Sequence, residues 1–220
     1  MTRLAIFDLD YTLTEKGTWG RFVLRAIKDR PWIFLPLGLD AGLSQLAYKV
    51  GLIPRVRVKQ RMMAWAFRNW SRERIMSLAR SFADDEVASG LNTRVVEALR
   101  AHQANGDIVL IASAAVDAIV RPIASALDVQ HYVATDFAWT GDGSLAPHFA
   151  TPNCYAAEKA KRVFEWKARV LGRMDVFHIT VYSDSASDAP IFDLADRAVV
   201  VRPGRRARRY AEKNGFEIWS

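Results

Sequence analysis

Phe7-Asp8-Leu9-Asp10-Tyr11-Thr12-Leu13-Thr14 decides how this chain is read. The run before it, Leu4-Ala5-Ile6-Phe7, is wholly apolar, and two carboxylates spaced two apart follow at once. Such a run predicts a strand buried on both faces, as in a parallel sheet. Side chains alternate along a strand, so Asp8 and Asp10 project to one side wherever the extended geometry persists. They would then sit at the carboxyl end, where open α/β sheets bind ligands. Two acids with no base nearby in sequence repel unless a cation or unequal protonation relieves them, and Mg²⁺ is the natural partner of hard oxygen ligands. Taken alone, the pair is equally a strand-end turn with two solvated acids.

Outward from this stretch, short β-branched runs alternate with helical patterns, the rhythm of an α/β chain with a parallel sheet and crossover helices. Strands are predicted over 3–9, 107–113, 131–138, 177–183 and 197–202, and helices over 92–105, 116–128, 154–172, 188–194 and 205–214. Thr140-Gly141-Asp142-Gly143 is a turn signal that predicts a small hairpin within 133–149. Residues 16–90 break the rhythm: they hold no convincing strand and show helical spacings such as Met62, Trp65, Ala66 and Trp70. They read as an all-helical insertion after the first strand. The chain thus divides into a core of residues 1–15 and 91–220 and a helical cap of residues 16–90. Its 220 residues suit one domain carrying such an insertion.

Three later stretches add to the first. Ile111-Ala112-Ser113-Ala114-Ala115 is a strand ending in a hydroxyl before a helix, where Ser113 and backbone N–H groups could hold an anion or cap the helix. Lys159 lies in Asn153-Cys154-Tyr155-Ala156-Ala157-Glu158-Lys159 and by itself is a surface helix lysine. Tyr182-Ser183-Asp184-Ser185-Ala186-Ser187-Asp188 again ends an apolar strand with two acids, here four apart.

In this order and spacing the four stretches resemble the haloacid dehalogenase superfamily of aspartate-nucleophile phosphatases, most closely its subclass IB, to which phosphoserine phosphatase belongs. The resemblance spans residues 8–188 and implies a Rossmann-like doubly wound parallel sheet with a C1-type helical cap. It implies that Asp8 is the nucleophile that forms an aspartyl-phosphate and that Asp10 is the acid and base. Mg²⁺ would be held by the Asp8 carboxylate, the Asp10 backbone carbonyl and Asp184. Ser113 and Lys159 would hold the phosphoryl oxygens, Asp188 would orient Lys159 or a metal-bound water, and Thr12 would support the nucleophile loop. Tyr11 stands where a small residue is common in the family, and Ser183 where a glycine is usual. No catalytic position is missing.

Composition narrows the setting. Half the residues are apolar and a quarter charged, which excludes a disordered or fibrous chain. A single cysteine, Cys154, excludes an internal disulfide, and Asp8 and Asp10 interrupt the N-terminal apolar stretch before a signal-peptide core forms, so a cytoplasmic protein is expected. The net charge of +7 is concentrated in residues 16–90, which hold 14 Lys and Arg against 6 Asp and Glu. Within that segment, Pro31 to Pro54 carries only Asp40 and Lys49 as charges, and Pro36, Gly38, Asp40 and Gly42 interrupt the roughly 20 apolar residues that a spanning helix needs. An apolar stretch in a basic setting suits a surface resting on anionic lipid, which implies peripheral contact with the inner face of a membrane. In this the cap resembles that of phosphatidylglycerophosphatase C. Trp32, Phe34, Leu35 and Leu39 read equally as core or dimer contacts.

The expected partner is therefore a phosphomonoester. It is either a phospholipid head group such as phosphatidylglycerophosphate or a small soluble metabolite such as phosphoserine or histidinol phosphate. A module that binds phosphoryl groups without turnover is the non-enzymatic alternative. Arg202, Arg205, Arg206, Arg208 and Arg209 form a basic cluster without interleaved aromatics, so no nucleic-acid partner is expected and the cluster reads as decoration of a terminal helix. No pattern in the sequence sets an oligomeric state.

Overall fold

Six parallel strands frame the chain, and their order puts the two most acidic strand ends side by side. The computed structural model describes residues 2–172 and 176–220. Strands β1 (Thr2–Phe7), β2 (Ile108–Val116), β3 (His131–Thr135), β6 (Val176–Ser183), β7 (Arg197–Val201) and β8 (Glu217–Trp219) lie in the order β3-β2-β1-β6-β7-β8, and every adjacent pair is parallel. The chain winds outward from β1 through β2 to β3, then crosses back to β6 on the other side of β1. This reversal leaves a crevice at the carboxyl ends of β1 and β6, where doubly wound sheets take their ligands.

Alternation along β1 explains the layers. Ala5 and Phe7 face one buried cluster with α5 (Thr93–Ala104) and α6 (Asp117–Ala126), while Leu4 and Ile6 face a second with α7 (Ala157–Val170), α8 (Ala189–Phe192) and α9 (Arg205–Asn214). Phe7 stacks flat on Tyr182 of β6 at 4.5 Å, fixing the two central strands against each other.

Residues 18–89 form α1 (Thr18–Ile27), α2 (Phe34–Lys49), α3 (Arg55–Ala66) and α4 (Arg72–Ser89). Trp19, Phe22, Phe67 and Phe82 of this segment belong to the same buried cluster as Phe7 and Ile119, so the helices share one core with the sheet layer beneath them. The buried Glu86 of α4 accepts a 2.6 Å hydrogen bond from Arg21 of α1. A Cβ on Gly90 would fall 2.6 Å from that carboxylate, which is why the turn after α4 needs glycine. The predicted hairpin forms from β4 (Phe137–Trp139) and β5 (Leu145–Phe149), and its Phe137 and Phe149 pack on Trp19.

The outer side of α2 is different. Leu37 and Ser44 are buried toward the other helices, but Phe34, Leu35, Leu39, Leu43, Leu46 and Val50 are exposed, as are the flanking Trp32 (70%) and Leu52 (77%). Asp40 turns inward, 3.2 Å from Arg61 of α3 and accepting from the Trp65 indole N–H at 3.1 Å. Among the described residues no helix is long and apolar enough to cross a membrane.

Several sequence expectations need correction. The strand predicted over 3–9 ends at Phe7, because the chain passes into a helical turn over Leu9–Leu13 in which only Asp10 (ψ 124°) and Tyr11 (φ 61°) are non-helical, so Asp8 and Asp10 do not lie on one extended run. The strand predicted over 107–113 runs on to Val116 through an irregular register beyond Ala112, so Ser113 lies within it rather than at its end. The segment predicted as one strand over 131–138 is split at Asp136, whose N–H bonds the Thr151 hydroxyl instead of a ladder partner. The helix predicted over 188–194 is only Ala189–Phe192. The sixth strand, β8, follows the left-handed Gly215 (φ 68°) and is too short to show a period.

Candidate active site

Strand ends bring the site together. Asp8 directly follows β1, and its N–H bonds the carbonyl of Tyr182 at 2.9 Å, tying the turn to β6. The turn is closed by Thr14, whose N–H and hydroxyl reach the Leu9 carbonyl at 2.9 and 3.0 Å. Thr12 is fully buried inside it, with its hydroxyl oxygen unpaired among the described residues.

From β6 the chain passes Ser183 and Asp184 into the short turn that holds Asp188. Lys159, from the first turn of α7, spans the gap between the two acidic turns. Its Nζ donates to Asp8 Oδ1 at 2.9 Å and to Asp188 Oδ2 at 2.6 Å, and the Ser183 hydroxyl donates to the same Asp188 oxygen at 2.6 Å. All four residues are buried. Burial pushes the Asp8 carboxyl up to about 8, with Lys159 pulling it down and Asp188 and Asp184 adding to the rise. Burial alone would lower the Lys159 ammonium, but Asp188 and Asp8 outweigh it and hold the pKa above the usual lysine value. Burial, reinforced by Asp188, pushes Asp184 up to about 6 against the pull of Lys159.

A cleft of about 190 Å³ opens over these groups, lined by Asp8, Asp10, Ser113, Lys159, Asp184 and Asp188 among others. Six of the seven residues singled out by sequence therefore meet at one cleft, and Thr12 lies beneath it. Ser113 is tucked in, its Oγ accepting from the Ala115 N–H at 3.0 Å. Asp10 does not stand parallel to Asp8: its Oδ1 accepts from the Thr18 N–H at 2.8 Å and from the Thr18 hydroxyl at 2.7 Å, capping the start of α1. Tyr11 stands at the mouth, where a Cβ on Gly17 would come within 3.1 Å of its ring.

Charge balance tests the cleft for a metal. Its lining brings four carboxyl groups, of Asp8, Asp10, Asp184 and Asp188, against the cations Arg55 and Lys159, and the crowding of acids that adds to the rise of Asp8 and Asp184 is what a divalent cation would relieve. Among the described residues no three His, Cys, Asp or Glu side chains converge as a ready cage. The donors on offer, the carboxyls of Asp184 and Asp8 beside backbone and solvent oxygen, suit Mg²⁺, which keeps several waters and asks for few carboxylates. The Asp188 Oδ1 oxygen is buried with no partner among the described residues, a place for a further donor such as a water.

Sequence reasoning missed the residues that meet the cleft from the helices and from the loop before α7. Arg55 lines it and lies over the Tyr155 ring at 4.5 Å. Lys59 reaches from α3 to the Ala114 carbonyl and to Asn153 Oδ1, and Thr135 also bonds that carbonyl. No local spacing marks these contacts; the only signal was that Lys59 falls in the basic segment.

Comparison with known proteins finds similar chains and folds. A probable phosphatase of Mycobacterium tuberculosis is 29% identical over 234 residues, covering 98% of this chain and 74% of that protein. A histidinol-phosphatase of Neisseria meningitidis is 23% identical over 235 residues, covering 99% and 98%. A solved structure of a Bordetella pertussis protein of unknown function superposes with a TM-score of 0.87 at 25% identity, covering 100% of this chain and 99% of that one. The family model for haloacid dehalogenase-like hydrolases matches residues 5–193, the span that carries all four acidic, hydroxyl and lysine stretches. The chain belongs to the haloacid dehalogenase-like hydrolases.

Proposed function

We propose that the chain is a Mg²⁺-dependent phosphatase working through an aspartyl-phosphate on Asp8, and that its substrate is a phospholipid head-group phosphate such as phosphatidylglycerophosphate. The observation that carries the chemistry is the buried Asp8–Lys159–Asp188 chain opening on the cleft. Asp8 attacks phosphorus, and the alcohol leaves with a proton from Asp10. Water then attacks the aspartyl-phosphate, giving its proton to Asp10 and releasing phosphate, so that one hard displacement is divided into two easier ones. Lys159 and Ser113 hold the phosphoryl oxygens as charge shifts between them, and Asp188 aims Lys159. Asp8, Asp184 and the Asp10 carbonyl would hold Mg²⁺, which would supply the positive charge that lets an anionic nucleophile approach an anionic phosphate. The helical segment 16–90 acts as the cap that selects the leaving group.

The lipid reading rests on α2. Its exposed apolar side chains lie largely on one helix face, the only acid on that helix is neutralised by Arg61, and the exposed Lys49 ends the helix with Arg55 and Arg57 exposed just beyond it. An apolar face with a basic rim complements an anionic bilayer. The near-full-length similarity to a histidinol-phosphatase favours the second reading, a soluble metabolite phosphate. The test is phosphate release, with and without Mg²⁺, from phosphatidylglycerophosphate in vesicles, histidinol phosphate, phosphoserine and nucleotides. Mg²⁺-dependent release, fastest from the lipid, is expected. Faster release from histidinol phosphate would replace the lipid reading, and full activity after exhaustive chelation would overturn the metal assignment.

A further inference from the structure

A second cavity of about 580 Å³ lies beside the phosphoryl cleft, between the turn after β1 and helices α1 to α3. The two share Asp10, Tyr11, Arg55 and Ala114, so a substrate with its phosphate over Asp8 has the larger space open to its leaving group. Trp19, Leu24, Val58 and Met62 give that space an apolar wall. Its charged lining is mainly basic, and the cations there differ in what satisfies them.

Arg21 is paired with the buried Glu86. Lys59 is not paired in this way. It is only 8% exposed, and its Nζ donates to two neutral oxygens, Ala114 O at 2.6 Å and Asn153 Oδ1 at 2.9 Å. Among the described residues no carboxylate forms an ion pair with it. An ammonium carries three donors, so one remains beyond these two. A buried charge without a counter-charge is costly, and the cost falls when an anion arrives. Burial has already pushed the Lys59 pKa down to about 8, with Asp10 opposing that fall, which leaves the group protonated at neutral pH. Arg55, exposed and free of any carboxylate among the described residues, lines the passage between the two cavities.

We propose that Lys59, assisted by Arg55, forms a second anion subsite that takes a carboxylate or phosphodiester on the leaving group while the scissile phosphate sits over Asp8. This rests on the phosphatase reading and deepens it. The subsite asks for a substrate with two anionic groups joined by a short aliphatic link. A lipid phosphodiester and a soluble carboxylate both meet that demand, and a leaving group without an anion does not. It also differs from a purely structural role, in which Lys59 would merely tie the Ala114 carbonyl to the Asn153 side chain.

The test compares leaving groups that carry an anion with leaving groups that lack one. Phosphoglycolate and ethyl phosphate differ by a carboxylate in place of a methyl group, and short-chain phosphatidylglycerophosphate against glycerol 3-phosphate adds the phosphodiester. The wild-type protein is expected to prefer at least one anionic member of these pairs by about tenfold or more in kcat/KM, as a charge-assisted contact in a buried site requires. Lys59→Met should bring that ratio close to one, and Lys59→Arg should keep part of it. Which pair shows the preference identifies the anion. An equal loss on both members of each pair in Lys59→Met would assign the residue a structural role and overturn the subsite. So would a wild-type protein with no preference, however the variants fold. Calorimetric binding of phosphoglycolate and ethyl phosphate to the wild-type protein reads the same ratio without turnover. Failure to hydrolyse any of the four would count against the phosphatase reading alone.

Discussion

At the carboxyl edge of the sheet, Asp8, Lys159, Ser183 and Asp188 are buried and bonded to one another, whereas along α2 five large apolar side chains stand exposed among the described residues. Each region departs from the ordinary rule that apolar groups go inside and charges outside. The first departure is compensated within the chain, because each buried charge has a neighbour of opposite sign. The second has no such compensation among the described residues. On the proposed reading the first region carries the chemistry and the second meets a partner outside the protein, with Tyr11 and Arg55 lining both the cleft and the cavity beside it.

The largest effect that could break this contrast comes from the internally settled side. Asp8→Asn keeps the side-chain volume and leaves Lys159 its bond to Asp188, so the fold and its melting temperature should change little. Turnover should fall by at least about a thousandfold, because an amide oxygen is a poor nucleophile and residues acting as a unit lose most of their rate together. Steady-state phosphate release and a thermal melt on one verified preparation check this. Retention of appreciable hydrolysis would remove Asp8 from the nucleophile's role.

A smaller and more selective effect is expected at Asp10. In Asp10→Asn the amide oxygen can still accept from the Thr18 N–H and hydroxyl, so the start of α1 survives. The proton is lost. An alkyl leaving group needs that proton and should slow by about a hundredfold or more in single-turnover phosphorylation of Asp8, while an activated aryl phosphate, whose leaving group is stable as an anion, should slow much less. Equal losses for the two would sharpen the picture differently, making Asp10 a cap for α1 and nothing more.

How much of this was legible beforehand follows the same division. The strand-end acids and Lys159 lie in local patterns of apolar run, turn and helix, and those patterns survive even where the geometry assumed for them fails. Asp8 and Asp10 reached one cleft across the helical turn that starts at Leu9, not through strand alternation. Lys59, Thr135 and Asn153 left no comparable trace, since their meeting around the Ala114 carbonyl depends on three distant segments packing together. The three-residue β8 was too short for any period, and its place is set by the Gly215 turn and the seating of Trp219 against Tyr182 and Arg94. The apolar Pro31–Pro54 stretch was visible from the start. Whether it lay inside or outside was not, because the same residues serve a core, a dimer or a bilayer, and only the direction in which α3 holds Asp40 decides which face of α2 is free.

That face offers the smallest expected effect and the most direct trial of its external partner. Trp32 is 70% exposed and Phe34 42%, so replacing both with serine removes little buried area and should leave thermal stability almost unchanged. A pair of aromatic rings seated at a bilayer boundary contributes much of the apolar attraction there, so binding to vesicles containing anionic lipid should weaken by about tenfold. Salt should weaken the wild-type binding by screening the exposed lysines and arginines, leaving a residue of apolar attachment that the double variant lacks. Hydrolysis of a lipid phosphate should fall with vesicle binding, while a small aryl phosphate that needs only the cleft over Asp8 is turned over as before. If the variant instead melts early, the rings are packed against something within the protein or a second copy of it. If it folds normally and binds and hydrolyses lipid undiminished, α2 is not the docking face, and the open side of the comparison must be sought in the soluble leaving group that Lys59 and Arg55 would hold.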